Sequence, residues 1–225
     1  MKQFLRTSAL VVAAFSINSA VALAHDTAFD VVTKARLFGT FPDQTQKFNT
    51  APLNASTSAS KDKVFDRGFG GEFSGTYFYN ANVASEIGVG IYGQKFKSFK
   101  GVSDLYSSTP APSTKSKRSF FVPVTATLQF HVDPVKEFSP YFGAGYHYTF
   151  STHSSKVAKV SNQHGAVVQV GADIFSKDNY GFNLDVKKYW SKGHIKYKAP
   201  VTSMPVKAKY KADPTVVGFG ITWRM

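Results

Sequence analysis

The chain has 225 residues, a net charge of +13, 43% hydrophobic residues and no cysteine. The lack of cysteine excludes a disulfide framework and thiol chemistry. Past the N-terminus no run of about 18 uncharged apolar residues occurs, which excludes a helical membrane span.

Residues 1–24 read as a cleaved export signal. Lys2 and Arg6 make a positive start, an apolar stretch runs from Ala9 to Ala22, and Ala22-Leu23-Ala24 supplies small residues for cleavage before His25. Removal of Lys2 and Arg6 lowers the charge from +13 to +11. Such an excess often signals nucleic acid, but an exported chain rarely meets any. Anionic phosphate groups at a bacterial outer surface are the better match, and no nucleic-acid partner is expected. Many of the cations gather late in the chain, at Lys192, Lys196, Lys198, Lys207, Lys209 and Lys211. A solvated strand end would explain them as well.

Residues 25–225 then form one domain of eight segments that alternate apolar and polar side chains, the period of a β-strand. The first, about 28 to 41, sets Phe29, Val31, Ala35, Leu37, Gly39 and Phe41 against Asp30, Lys34, Arg36 and Thr40. The second, about 64 to 79, sets Phe69, Phe73, Tyr77 and Tyr79 against Glu72, Ser74 and Thr76, and turns at Asn80-Ala81-Asn82. The third, about 83 to 95, places Val83, Ile87, Val89 and Ile91 outward. The fourth is the cleanest: Phe120, Val122, Val124, Ala126, Leu128, Phe130 and Val132 form one row, broken by Asp133-Pro134. The fifth, 140 to 150, exposes Phe142, Ala144, Tyr146, Tyr148 and Phe150. The sixth, about 164 to 175, exposes Ala166, Val168, Val170, Ala172 and Ile174. The seventh starts at Phe182 with Leu184 and Val186 outward. Lys188 continues that row, either reaching toward head groups or marking a bulge. The eighth, 215 to 225, sets Thr215, Val217, Phe219, Ile221, Trp223 and Met225 against Val216, Gly218, Gly220, Thr222 and Arg224. It extends back toward Val206 with a bulge near Asp213-Pro214.

Connections alternate in length. Residues 42–63, 96–117, 151–163 and 192–205 are long and polar, while 80–82, 133–139 and 176–181 are brief. Short turns on one side and long loops on the other are the habit of outer-membrane barrels, with both termini in the periplasm. Phe120 and Phe130, ten residues apart on one face, lie about 25 Å apart along the membrane normal at an ordinary strand tilt, the height of the apolar band. Tyr79, Phe142, Phe182 and Trp223 fall near one edge of that band and Tyr148, Phe150 and Trp190 near the other, as an interfacial belt requires. The expected fold is an all-β, eight-stranded antiparallel transmembrane barrel with four long outer loops and short periplasmic turns.

With the strands laid out, the chain resembles the OmpW family of outer-membrane proteins. Matching positions are Pro140, Tyr141, Gly143, Ala144, Gly145 and Tyr148; Gly165, Gln169, Gly171 and Asp173; and Asp213, Pro214 and Gly220. The resemblance implies an eight-stranded barrel with a hydrophobic interior path for small apolar molecules, and assembly by the barrel assembly machinery. Barrels of this kind usually end in Phe; this chain ends in Met225, which keeps the face apolar.

Strand parity assigns the interior. Lys34, Arg36, Glu72, Glu86, Asp173, Asp185, Lys187 and Arg224 face inward, four basic and four acidic, a balance that calls for paired networks. Such pairs plug a barrel and specify its register rather than conduct ions. Apolar groups also face inward: Val32, Phe38, Phe78, Tyr92, Phe121, Tyr141, Val167, Phe175, Tyr189 and Val216. Of these, Phe38, Tyr92, Phe121 and Tyr189 lie toward the outer half and are candidates for an apolar entry or constriction; plain packing is the alternative for each.

No catalytic site, metal or cofactor is expected. His153-Ser154-Ser155 offers nucleophile and base residue types, but adjacency in a polar loop carries little. His131 and His147 share the inward face yet should pair with Tyr141 and Thr125 across a hairpin, roughly 20 Å apart and too far for joint ligation. Gly68-Phe69-Gly70-Gly71 lacks the Lys-Ser/Thr of a phosphate loop. The expected function is a narrow, largely hydrophobic outer-membrane channel for small hydrophobic solutes, with outer-membrane lipid and lipopolysaccharide as surroundings. The alternative is a non-conducting structural or surface-interaction barrel serving adhesion, phage or bacteriocin contact.

Overall fold

Eight segments with a period of two cannot each bury one face against a partner layer unless the sheet doubles over or closes, and here it closes. The computed structural model describes residues 31–48, 65–80, 82–96, 118–132, 137–152, 158–176, 179–197 and 207–225. The expected signal at 1–24 and its cleavage point lie outside them.

The strands are β1 (Val31–Phe41), β2 (Gln44–Phe48), β3 (Phe65–Phe78), β4 (Val83–Phe96), β5 (Arg118–His131), β6 (Phe138–Ser151), β7 (Ala158–Val160), β8 (Gln163–Phe175), β9 (Tyr180–Tyr197), β10 (Lys207–Ala212) and β11 (Thr215–Arg224). Eight of them form the wall, in the order β1-β3-β4-β5-β6-β8-β9-β11, and β11 pairs back onto β1 from Val32↔Arg224 to Phe41↔Thr215. Every pairing is antiparallel and the ring is closed, so the wall has no free edge. These are the eight segments read from the sequence.

The short turns gather at one end with the last residues of β11, which we call the turn end. Asn80 accepts hydrogen bonds at its side-chain oxygen from the Asn82 and Val83 amides (3.0 and 2.8 Å). Asn179 adopts φ 63°, the left-handed region that asparagine tolerates, between β8 and β9. The opposite, loop end is taller than expected. Residues 42–63, 151–163 and 192–205 read as polar connections, yet β2 and β7 lie in the first two, and β9 continues through Tyr197 into the third. Alternating hydrophobicity reports contact with hydrocarbon rather than pairing, so it fades where strands rise above the apolar band although their ladders continue.

Two proline breaks align on the closing seam. β1 and β11 share one register with β2 and β10, because Gln44↔Ala212 continues Phe41↔Thr215. Pro42 and Pro214 therefore face each other across it, with Asp213 N donating to Asp43 O at 2.8 Å one rung on. The bulge expected near Asp213-Pro214 does not form: the registers run through it unshifted on both sides, and the proline only interrupts the strand. Lys188 answers its own question here. The β8–β9 register runs past it unshifted, and on the other side Thr215↔Lys188 continues in register to Ala212↔Ser191 of β10, which removes the bulge alternative. Its ammonium donates to Asp213 O (2.7 Å) and Thr215 Oγ1 (3.4 Å), so the exposed carbonyl beside the proline holds a cation on the outer face.

Burial is inverted relative to a soluble domain. Leu128 is 60% exposed and Val170 58%, while Lys34 and Asn183 are 0% exposed. A sandwich would bury the first pair and expose the second; a wall between hydrocarbon and an enclosed interior does the reverse. The aromatic belts follow the same logic. Phe130 packs on Phe142 (5.5 Å between ring centres) and Phe182 on Phe219 (5.9 Å) toward the turn end, and Tyr148 on Phe150 (4.8 Å) toward the loop end.

Candidate functional site

The interior is layered. At the turn end Val32, Phe78, Ala84 and Phe175 form an apolar plug. Arg224, one of the eight charges assigned inward, lies half-buried here, its guanidinium 3.5 Å over the Phe175 ring.

The other seven charges meet in the middle. Lys34 lies 3.0 Å from Asp173 and 3.5 Å from Glu86. Arg36 pairs with Glu72, donates to Glu86 Oε2 at 2.8 Å, and uses its Nε on Asn183 Oδ1 at 2.6 Å. Lys187 reaches Glu72 (2.5 Å), Glu86 (3.6 Å) and Asp185 (3.8 Å). Tyr141 closes the layer: its hydroxyl donates to Asp185 Oδ2 at 2.9 Å and its ring lies 4.2 Å from the Lys34 ammonium. Three cations thus stand against four carboxylates, every one buried. Fork-shaped Arg36 is the member that can bridge two carboxylates and an amide at once.

Glycine makes the room. Arg36 is flanked by Gly220 across the closing seam, Asp185 by Gly218 and Gly171, and Phe38 by Gly70 and Gly218. A Cβ on Gly171 would come within 2.5 Å of both the Tyr141 ring and the Leu184 carbonyl. Large inward side chains can therefore cross a lumen no wider than eight strands allow.

Toward the loop end lies a pocket. Phe38, Tyr92, Phe121 and Tyr189 all line it, with Pro123 and Val216. Tyr92 stacks on Phe121 (5.2 Å, 18°) and meets Phe38 edge-on (6.0 Å). The cavity among these side chains is about 30 Å³, room for little more than a water molecule, so a solute must part them to enter. Glu72 belongs to its lining, so the charged layer is its floor.

Residue chemistry also explains a flaw in the wall beside this pocket. β4 and β5 pair from Val83↔Phe130 to Val89↔Val124 and again from Tyr92↔Phe121, but the two rungs between, at Gly90/Pro123 and Ile91/Val122, are missing. Odd-numbered positions of β5 donate toward β4, as His131 N does to Asn82 O (2.7 Å). Pro123 is an odd position without a donor, so the ladder opens there.

Sequence reading missed Asn183, because a neutral amide between Phe182 and Leu184 carries no charge signal; its inward parity was the available clue. It also gave no role to Gln129 and Gln169 among the buried polar groups. The histidine pairs fall as expected, His131↔Tyr141 and Thr125↔His147. Among the described residues no group of His, Asp and Glu is arranged to hold a metal. His153, Ser154 and Ser155 lie outside the described residues.

The OmpW family model matches residues 27–225, which takes in every residue the structure describes. The chain belongs to the OmpW family. Chains named as outer membrane proteins in Rickettsia typhi and Rickettsia bellii are 32% and 34% identical to it over 195 and 194 residues, spanning 85% of this chain and 80% and 78% of theirs. Among solved structures, the outer membrane protein OprG from Pseudomonas aeruginosa superposes with a TM-score of 0.65 at 16% identity, covering 88% of this chain and 96% of that one. Outer membrane protein AlkL, determined in lipid bilayers, gives 0.61 at 18% identity, covering 91% and 94%. These likenesses show the fold. This OmpW-family chain is an outer-membrane barrel, a fold of transport or structural proteins rather than of enzymes.

Proposed function

We propose that this OmpW-family barrel takes small apolar molecules into the pocket at its loop end and releases them sideways, through the wall between β4 and β5, into the hydrocarbon of the membrane. The loop end faces the exterior and both termini lie in the periplasm, after export with loss of residues 1–24. The observation that carries the reading is the conjunction of an aromatic pocket with a break in the β4–β5 ladder at Pro123 and a floor of buried ion pairs.

Each part has a physical consequence. Phe38 and Tyr189 pack in one buried cluster with Tyr92 against it, and Phe121 is buried beside them, so an entering solute would part these rings and gain about 25 cal/mol per Å² covered. The axial way down meets Arg36, Lys187, Glu72 and Glu86, and an apolar solute has nothing to offer that layer in exchange for its ion pairs. Sideways passage requires that side chains at Ile91 and Val122 part, beside the one pair, Gly90/Pro123, where the proline has no donor to give β4. The sealed floor also favours a barrel that conducts ions poorly.

The test is uptake of a hydrophobic fluorescent probe by liposomes containing the barrel, with cysteines placed at Ile91 and Val122. The chain has no native cysteine, so only the engineered pair can bridge. We expect uptake to fall when the pair is oxidised and to return on reduction. Uptake that ignores the bridge removes the lateral route, and equal uptake by protein-free liposomes removes transport.

A further inference from the structure

Above the apolar band, the outer face of β9 and β10 places cations opposite one another. Lys192 pairs in register with Lys211, and His164 sits opposite Lys192 on the other side; all three are exposed. The backbone registers continue the pattern upward: position Lys209 lies between His194 and Lys47, and Lys196 between Lys159 and Lys207. Like charges directly opposite across a sheet destabilise it, so Lys192 opposite Lys211 carries a cost. Two carboxylates share the neighbourhood, Asp43 and Asp213. Asp213 Oδ1 accepts the Ser191 amide at 3.1 Å, and neither makes an ion pair with Lys192 or Lys211 among the described residues. Lys192 and Lys211 therefore have no anionic partner among the described residues.

We propose that this face binds the phosphate head group of an anionic membrane lipid, with Lys192 and Lys211 as its main contacts. What lies below the cations selects a lipid over a soluble anion. Trp190 and Tyr146 are exposed one rung down, and the Tyr146 hydroxyl lies 2.6 Å from His164 Nδ1, with the Tyr148 ring stacked on the same imidazole. Aromatics of this kind mark the depth at which head groups lie. Beneath them Val168, Val170, Val186 and Leu184 form an exposed apolar wall on β8 and β9. An amphiphile whose phosphate stands on the lysine row lays its acyl chains on that wall, so both halves of the molecule are satisfied by one surface. Free phosphate would use only the upper half. The inference rests on the barrel spanning a membrane and is independent of the transport proposal.

Trp190 and Trp223 are the only tryptophans, so Trp223→Phe leaves a single reporter beside the lysine row. In phosphatidylcholine bilayers containing that variant, brominated-chain phosphatidic acid, a lipid phosphomonoester, is expected to quench Trp190 beyond the level given by equally brominated phosphatidylcholine. Added to it, Lys192→Gln with Lys211→Gln should weaken that association roughly 25-fold, about fivefold for each lysine near a charged lipid surface. Lys192→Arg with Lys211→Arg should retain it, and Arg67→Gln, a cation placed elsewhere on the wall, should leave it unchanged. Heat-dependent gel mobility verifies that each variant is folded. Pro123→Ala should leave lipid selectivity intact whatever it does to uptake. Equal quenching by the two brominated lipids overturns the proposal, as does selectivity that survives loss of both lysine charges. Full displacement of the lipid by inorganic phosphate overturns it too, because the site would then belong to a soluble anion.

Discussion

Arg36→Met is the most informative single change in the lumen. The arginine side chain is 2% exposed and holds Glu72, Glu86 and Asn183 together. Its removal leaves Lys34 and Lys187 to balance Glu72, Glu86, Asp173 and Asp185, so two cations face four carboxylates in an enclosed space. Breaking a buried pair from one side costs about 3–5 kcal/mol, since the remaining charge has lost its partner but not its burial. Methionine keeps most of the apolar volume, which separates the charge effect from a cavity effect. Glu86→Gln in the same background removes one orphaned carboxylate, so the double variant should lose less than the two single losses added, by about 1–3 kcal/mol. The assay is equilibrium urea unfolding in detergent micelles or lipid vesicles, read by tryptophan fluorescence and by the gel mobility difference between folded and heated barrel. A loss for Arg36→Met below about 1 kcal/mol, the scale of exposed ion pairs, would refute the reasoning and show a hydrated, open lumen in place of a sealed layer.

Other expected outcomes follow from particular contacts. Gly171→Ala should destabilise the barrel by about 1–3 kcal/mol, because its methyl meets both the Tyr141 ring and a fixed backbone carbonyl; wild-type urea stability would contradict the packing described. Pro123→Ala supplies a donor toward β4, and should slow probe release and protect the amides near Gly90 from hydrogen exchange; unchanged exchange would show that the proline does not hold the gap open. Alanine at both Arg36 and Lys187 removes two of the three cations of the floor, and planar-bilayer recordings should then show larger ion conductance than wild type, whereas an unchanged trace would place the barrier elsewhere. Nitroxide labels at positions 124, 128 and 219 should report acyl chains and be shielded from aqueous quenchers. Water contact at those sites would invert the wall.

Much was legible in the one-dimensional chain because a strand has a period of two. Once Leu128, Val170 and Phe219 are read as outward, Lys34, Arg36, Glu86 and Lys187 must face the other way, and no knowledge of neighbours is needed. Proline and asparagine likewise announced their turns and breaks locally. Parity cannot say which inward groups meet. Arg36 reaches Asn183 across 147 residues because β11 closes onto β1 and brings β9 beside it. That contact depends on ring closure and on the register of three strands together, which no local pattern encodes. The gap at Pro123 is also a tertiary fact: the proline is visible in the sequence, but only the pairing shows that its missing donor pointed at β4, beside the pocket, rather than toward β6. The pieces β2 and β7 and the upper part of β9 escaped the sequence for the opposite reason. Outside the hydrocarbon layer the two faces of a strand no longer differ in what they touch, so pairing persists there without leaving a hydrophobic trace.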